Sequence, residues 1–360
     1  MAIKKKQSGV GAAKALAHNP PTRRINLALQ GGGSHGAFAW GVVDHLLEDG
    51  RVDFDGISGT SAGSMNAAAL AYGAIGGKES ARQKLHDFWL AISEAGNRLN
   101  PLGQLFCQQP SPMGNLLTSM ASQFFWGITH TFSPYQLNPL NLNPLRDVLV
   151  NQIDFDALSR DSTIKLFLAA TNVRTGKAKV FGMEEAITAD MVMASACLPQ
   201  LFQAVEVEGE HYWDGGFMGN PVLYPLIYNT NTSDVLIVHI NPIERPGTPT
   251  TAEDILNRVN EITFNSSLIK ELRAIHFVQK LIEQGWIKEE FLGQLKHILV
   301  HSIRADLALS DLSADSKFRS DWGFLTMLRD RGRACAKEWL AENFESLGVR
   351  SSVDLKQEFL

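Results

Sequence analysis

Short, mostly apolar runs alternate with helix-forming segments along this chain, and that alternation limits the folds open to it. Residues 25–30 (Ile-Asn-Leu-Ala-Leu-Gln), 54–58, 164–170 (Ile-Lys-Leu-Phe-Leu-Ala-Ala) and 235–240 are strand-length and predominantly apolar. Such runs suit strands buried on both faces better than strands with one wet face. Between them, Phe38, Val42, His45 and Leu46 recur at helical spacing, residues 64–74 are Ala-rich, and residues 79–93 read as amphipathic. Residues 205–213 read as a hairpin turning at Gly209, and residues 297–303 as one more strand. The last third is otherwise helical, with apolar positions at Leu268, Leu272, Ile275, Ile282, Phe324, Leu328, Cys335 and Trp339. Strands alternating with helices imply an α/β fold with a mainly parallel sheet covered on both faces.

Composition becomes informative only when read by position. Net charge is -5, with 20% charged and 44% hydrophobic residues, close to the soluble average. These values exclude disordered, collagen-like and disulfide-rich classes and give no reason to expect nucleic acid. Cys107, Cys197 and Cys335 fit neither a metal-ligand nor a redox spacing, so no metal site is expected and a reducing, cytoplasmic setting is. Residues 1–24 carry Lys4, Lys5, Lys6, Lys14, Arg23 and Arg24 without one acid. They read as a flexible basic arm, either solvated or drawn to anionic lipid. No apolar core follows Lys4–Lys6, so no signal peptide is expected. Residues 99–145 contain no Asp, Glu, Lys or Arg, where average composition would place about nine. Six prolines rule out a transmembrane helix there. The expected organisation is thus the arm at 1–24, a catalytic domain at 25–245 with 99–145 as an apolar insert, and a mainly helical part at 246–360 packed on the same domain.

Gly59-Thr60-Ser61-Ala62-Gly63, after one strand and before the Ala-rich helix, matches a serine on a tight strand-to-helix turn. A plain helix-capping turn, with Ser61 or Ser64 as N-cap, fits the same residues. Gly31-Gly32-Gly33-Ser34-His35-Gly36 opens another such turn, whose amides could hold an oxyanion. It also fits a dinucleotide fingerprint, with Asp53 and Asp55 about 20 residues on, although those acids begin the second strand instead of ending it. Asp214-Gly215-Gly216 follows the hairpin and offers a base for Ser61. Of the histidines, His239 and His301 lie near strand ends and His35 precedes both motifs, so a Ser61–Asp214 dyad is the simpler arrangement.

The ordered set Gly-Gly-Gly-x-x-Gly, Gly-Thr-Ser-Ala-Gly and Asp-Gly-Gly with Asn220-Pro221 behind it resembles the patatin-like family of lipid acyl hydrolases. Residues 194–199 (Ala-Ser-Ala-Cys-Leu-Pro) and the run from Asp321 to Leu340 add to the likeness, the latter to bacterial members. The resemblance implies a three-layer α/β/α fold, a Ser61–Asp214 dyad and an oxyanion loop at Gly31, Gly32 and Gly33. His35, Gly36, Gly59, Gly63, Gly215 and Gly216 would support those motifs, and no cofactor is implied. Many relatives carry Arg or Lys where this chain has His35, which sets phospholipid against neutral ester as substrate.

The chain is therefore expected to cleave acyl esters of lipids, as a phospholipase A, lipase or carboxylesterase. Phe124, Phe125 and Trp126 of the insert are expected to line a lid or acyl-chain wall, with filling a second core or a subunit interface as the alternative. Peripheral contact with a membrane or lipid granule and a homodimer are both compatible with these features. The competing reading is a non-catalytic nucleotide- or lipid-surface-binding protein on the same fold.

Overall fold

The computed structural model describes residues 22–99 and 132–360, apart from Glu184, Pro246 and Gly293. Phe124, Phe125, Trp126 and nearly all of the basic arm lie outside the described residues. One sheet contains β1 (Arg23–Leu29), β2 (Val52–Thr60), β3 (Lys165–Asn172), β4 (Ala178–Phe181), β5 (Val205–Val207), β6 (Glu210–Asp214), β7 (Asp234–His239) and β8 (Leu299–Arg304). Strands β3-β2-β1-β7-β8 run parallel in that order, while β4, β5 and β6 are antiparallel additions around β3.

Helices α1 (Gly36–Asp49), α2 (Ala62–Ala74), α3 (Lys78–Leu99), α4 (Pro144–Gln152), α5 (Phe155–Asp161), α6 (Ala189–Ser195), α7 (Tyr224–Asn229), α8 (Ala252–Glu283), α9 (Trp322–Asn343) and α10 (Leu355–Phe359) surround it. Successive side chains of a strand point to opposite faces, and β1 shows the result. Ile25, Leu27 and Leu29 enter one core with Phe38 and Trp40 of α1, Leu70 of α2, Phe88 of α3 and Leu328 of α9. Ala28 enters the other with Ile237, Phe167, Leu226 of α7, Leu268 and Leu272 of α8, and Phe359 of α10. The central sheet is thus covered by helices on both faces. Each fully buried Leu or Phe contributes about 1.5–3 kcal/mol.

The hairpin turns at Glu208 and Gly209, both at positive φ (53° and 80°). The Asp321 side chain caps α9 by accepting from Phe324 N–H at 3.0 Å. Two departures from the sequence expectation stand out. β4 is a short strand with no periodic signal of its own, and β1 already begins at Arg23, with Arg24 3.5 Å from Asp55. Arg23 and Arg24 are therefore part of the sheet and not of an arm.

Candidate active site

Sheet register brings the two motifs together. Leu168 pairs with both Gly59 and Phe181, so β2 and β4 occupy opposite edges of β3. Ala170 pairs with both Lys179 and Asp214, so β6 lies on the edge that β2 has just left. Thr60 faces Ala169 and Asp214 faces Ala170. The end of β2 and the end of β6 therefore meet along one edge of β3, with Ser61 following the first and Asp214 closing the second.

Ser61 has φ 56° and ψ −124°, a conformation that costs a non-glycine residue about 1–3 kcal/mol. It is held by contacts on either side. Its N–H donates to Ser195 Oγ at 3.1 Å, and its carbonyl accepts from Ser64 N–H at 2.9 Å and Ser64 Oγ at 2.6 Å. The Ser61 side chain makes no capping bond to α2, so the hydroxyl is not consumed by the helix. Gly59 and Gly63 meet because the turn is too tight for side chains, a Cβ on Gly59 falling 2.5 Å from the Gly63 carbonyl oxygen.

Asp214 is 2% exposed. Its N–H donates to the Cys197 carbonyl at 2.7 Å, and its own carbonyl accepts from Thr171 Oγ1 at 2.9 Å. Oδ1 accepts from Gly216 N–H at 2.7 Å, whereas Oδ2 is buried and has no hydrogen-bond partner among the described residues. Burial pushes the carboxyl up to about 6, against the downward pull of the Gly216 amide and the Ser61 hydroxyl. Catalytic hydrogen bonds often become aligned only when substrate arrives. Gly215 packs on the Ala169 carbonyl and Gly216 on Phe264 of α8.

The glycine loop is pinned against Ser61. A Cβ on Gly31 would lie 2.5 Å from Ser61 Cβ. Its N–H, expected to belong to an oxyanion loop, donates here to Asn220 Oδ1 at 2.7 Å. The amides of Gly32 and Gly33 donate to no described residue. Gly36 fits between Ala62 and Trp89, and its carbonyl accepts from Asn66 Nδ2 at 2.9 Å. Loop 215–223 is stitched to the strand ends by Thr60 Oγ1 to the Gly219 carbonyl (2.7 Å), Ser58 Oγ to the Val222 carbonyl (2.6 Å) and Gln30 Nε2 to the Asn220 carbonyl (3.2 Å).

The competing groups lie elsewhere. His35 bonds Ser316 Oγ at 2.7 Å and is held down to about 3 by burial and by Lys317. His239 stacks on Phe359 and is likewise lowered to about 3, by burial and Arg304. His301 is bonded to Asp234 and Ser352, at 3.0 and 3.1 Å. Cys197 is buried and pushed up to about 12, far from a thiolate. Asp53 pairs with Lys78 at 2.7 Å, and Asp55 accepts from Asn231 N–H at 2.5 Å. Both acids lie toward the start of β2, roughly 15 Å along the strand from its glycine end, so the dinucleotide arrangement is not formed. Ser195, Asn220, Gln30 and Asn241 shape the site without having been assigned a role from sequence. The Ala194–Pro199 segment and Asn220-Pro221 did stand out as motifs, whereas nothing local marks Gln30 or Asn241.

A mainly parallel, two-face-covered sheet with a strained serine at a strand-to-helix turn, beside a buried carboxylate and a glycine loop, defines a class of α/β/α proteins. A model of the patatin-like phospholipases matches residues 27–227, a stretch holding both Ser61 and Asp214, and the chain belongs to that family of lipid acyl hydrolases. Among solved structures, the crystal structure of VipD from Legionella pneumophila is similar at a TM-score of 0.42 and 14% identity, covering 89% of this chain and 67% of that one. No curated protein gave a significant sequence match. Among the described residues, no helix is long and apolar enough to cross a membrane.

Proposed function

We propose that the chain hydrolyses acyl esters of lipids, with Ser61 as nucleophile and Asp214 as its base. The observation that carries this reading is the Ser61 hydroxyl, free of any capping role, set beside a buried carboxyl pushed up to about 6. Asp214 takes the hydroxyl proton as Ser61 Oγ attacks the ester carbonyl. The Gly32 and Gly33 amides and the positive end of α2 stabilise the oxyanion. The alcohol leaves with the proton from Asp214, and the same carboxylate then activates water to release the fatty acid. A raised pKa suits this role, because a carboxylate of ordinary basicity is a poor acceptor for a hydroxyl proton.

Surface character supports a lipid substrate. Ile255, Leu256, Val259 and Ile262 are each about half exposed on one side of α8. Two residues further on, Phe264 packs against Gly216 beside the base and lies 5.6 Å from Phe217. An exposed apolar face of this kind suits a substrate presented at a lipid surface, and Phe264, on the opposite side of the same helix, ties α8 to the site. Fatty-acid release from phosphatidylcholine vesicles and from a short nitrophenyl ester tests the proposal. Wild type should act on both, and Ser61→Ala on neither; retention of turnover by Ser61→Ala refutes it.

A further inference from the structure

Lys317 lies outside the family-matched stretch, in the short turn Ala314–Phe318 that covers the glycine loop. Its carbonyl occupies the space a Cβ on Gly33 would need, and the preceding Ser316 bonds His35. The Lys317 ammonium donates to Asn241 Oδ1 at 2.8 Å. Asn241 Nδ2 in turn donates to the Gly31 carbonyl at 2.7 Å. That carbonyl and the Gly32 N–H belong to one peptide group. The chain of donors therefore runs from a cation, through one side-chain amide, into the peptide group that carries the Gly32 N–H, which donates to no described residue.

The orientation of Asn241 is fixed chemically. Only its oxygen can accept from an ammonium, and only its NH2 can donate to a carbonyl. The side chain is 1% exposed, and its backbone N–H is anchored on Gln30 Oε1 at 2.9 Å. The charged and titratable groups that act on Lys317 or are acted on by it are Glu261 from α8, Arg245 from the loop after β7, and His35 from the glycine turn. Glu261 is bonded by two arginines, at 3.0 Å from Arg245 Nε and 3.2 Å from Arg258, and Lys317 forms no salt bridge among the described residues. Its charge is left to act on Asn241.

We propose that Lys317 is a positioning residue that acts through Asn241 on the Gly31–Gly32 peptide and strengthens the Gly32 N–H as a donor to the oxyanion. The role rests on the hydrolase reading above. Hydrogen bonds from ionised donors are the stronger ones, and bonds in series polarise one another. The gain is largest where negative charge develops, so it should appear in kcat and not in KM.

The test compares wild type, Lys317→Met and Lys317→Arg by nitrophenyl butyrate turnover and by fluorophosphonate labelling of Ser61, across pH. Burial holds Lys317 below the ordinary lysine range, so wild-type activity should fall at high pH as the ammonium is lost. Lys317→Met should cut kcat and the labelling rate about 10-fold, leave KM within about 2-fold and lack the basic limb. Lys317→Arg should keep most of kcat and move that limb upward, which also serves if the Met variant fails to fold. Wild-type kcat in a folded Lys317→Met, or an unmoved basic limb in Lys317→Arg, would overturn the relay. Absence of labelling at Ser61 in wild type would instead remove the hydrolase reading itself, and the relay with it.

Discussion

Asp214→Asn should make the protein more stable at neutral pH while removing its activity. The carboxyl is buried and raised from 3.8 to about 6 in the folded chain. An acid raised on folding binds its proton more tightly in the native state, so wild-type stability falls as pH rises from about 4 to about 6 and then levels off. Two pH units correspond to about 3 kcal/mol. Asparagine keeps an oxygen to accept the Gly216 N–H and has no charge to bury, so it escapes that loss. Unfolding entropy near 2.1 cal/mol/K per residue gives about 0.75 kcal/mol/K for 360 residues, hence a rise in Tm of roughly 4 °C. Paired thermal melts at pH 8 and pH 4 provide the assay. Other buried acids, such as Glu271, raised to about 7 where it accepts the Leu223 and Tyr224 amides, titrate equally in both proteins. The Asn variant should gain at pH 8 and lose that advantage near pH 4. An Asn variant no more stable than wild type at pH 8 would refute the idea that burial strains the Asp214 carboxylate.

Three further outcomes follow from the same geometry. The acid limb of kcat/KM should have an apparent pKa near 6, set by Asp214 and measurable on a soluble ester; an acid limb near 4 would contradict the assignment. Ser195→Ala removes the acceptor of the Ser61 N–H, which should cost about 1–3 kcal/mol in denaturant melts and lower kcat more than it raises KM. Val259→Asp paired with Ile262→Asp, on the exposed face of α8, should weaken vesicle hydrolysis several-fold and leave short-ester turnover within 2-fold. Equal loss on both substrates would separate that face from lipid contact.

Much of the site is legible in the chain because its pieces are local. Gly59 to Gly63 must pack without side chains in one tight turn, and the Asp214 loop follows a hairpin whose Gly209 turn announces itself. The apolar runs read as strands with boundaries shifted by one to two residues at most ends, since burial on both faces leaves no alternation to mark them. What stayed hidden is tertiary. Asn220 takes the Gly31 amide across 189 residues of sequence, and Asn241 reaches the Gly31 carbonyl across 210. Nothing near Gly31 indicates this donation, so three equivalent glycines in sequence differ in space. β4 escaped notice for a related reason: its four residues are a strand only because the far edge of β3 is open to them.

The central claim is that Ser61 attacks an ester with Asp214 as its base. Fluorophosphonate labelling followed by peptide mass analysis tests it most directly. The account predicts a single adduct on Ser61 in wild type, no adduct in Ser61→Ala, and labelling slowed at least 100-fold in a folded Asp214→Asn. An adduct on another residue, or wild-type labelling speed in Asp214→Asn, would contradict it.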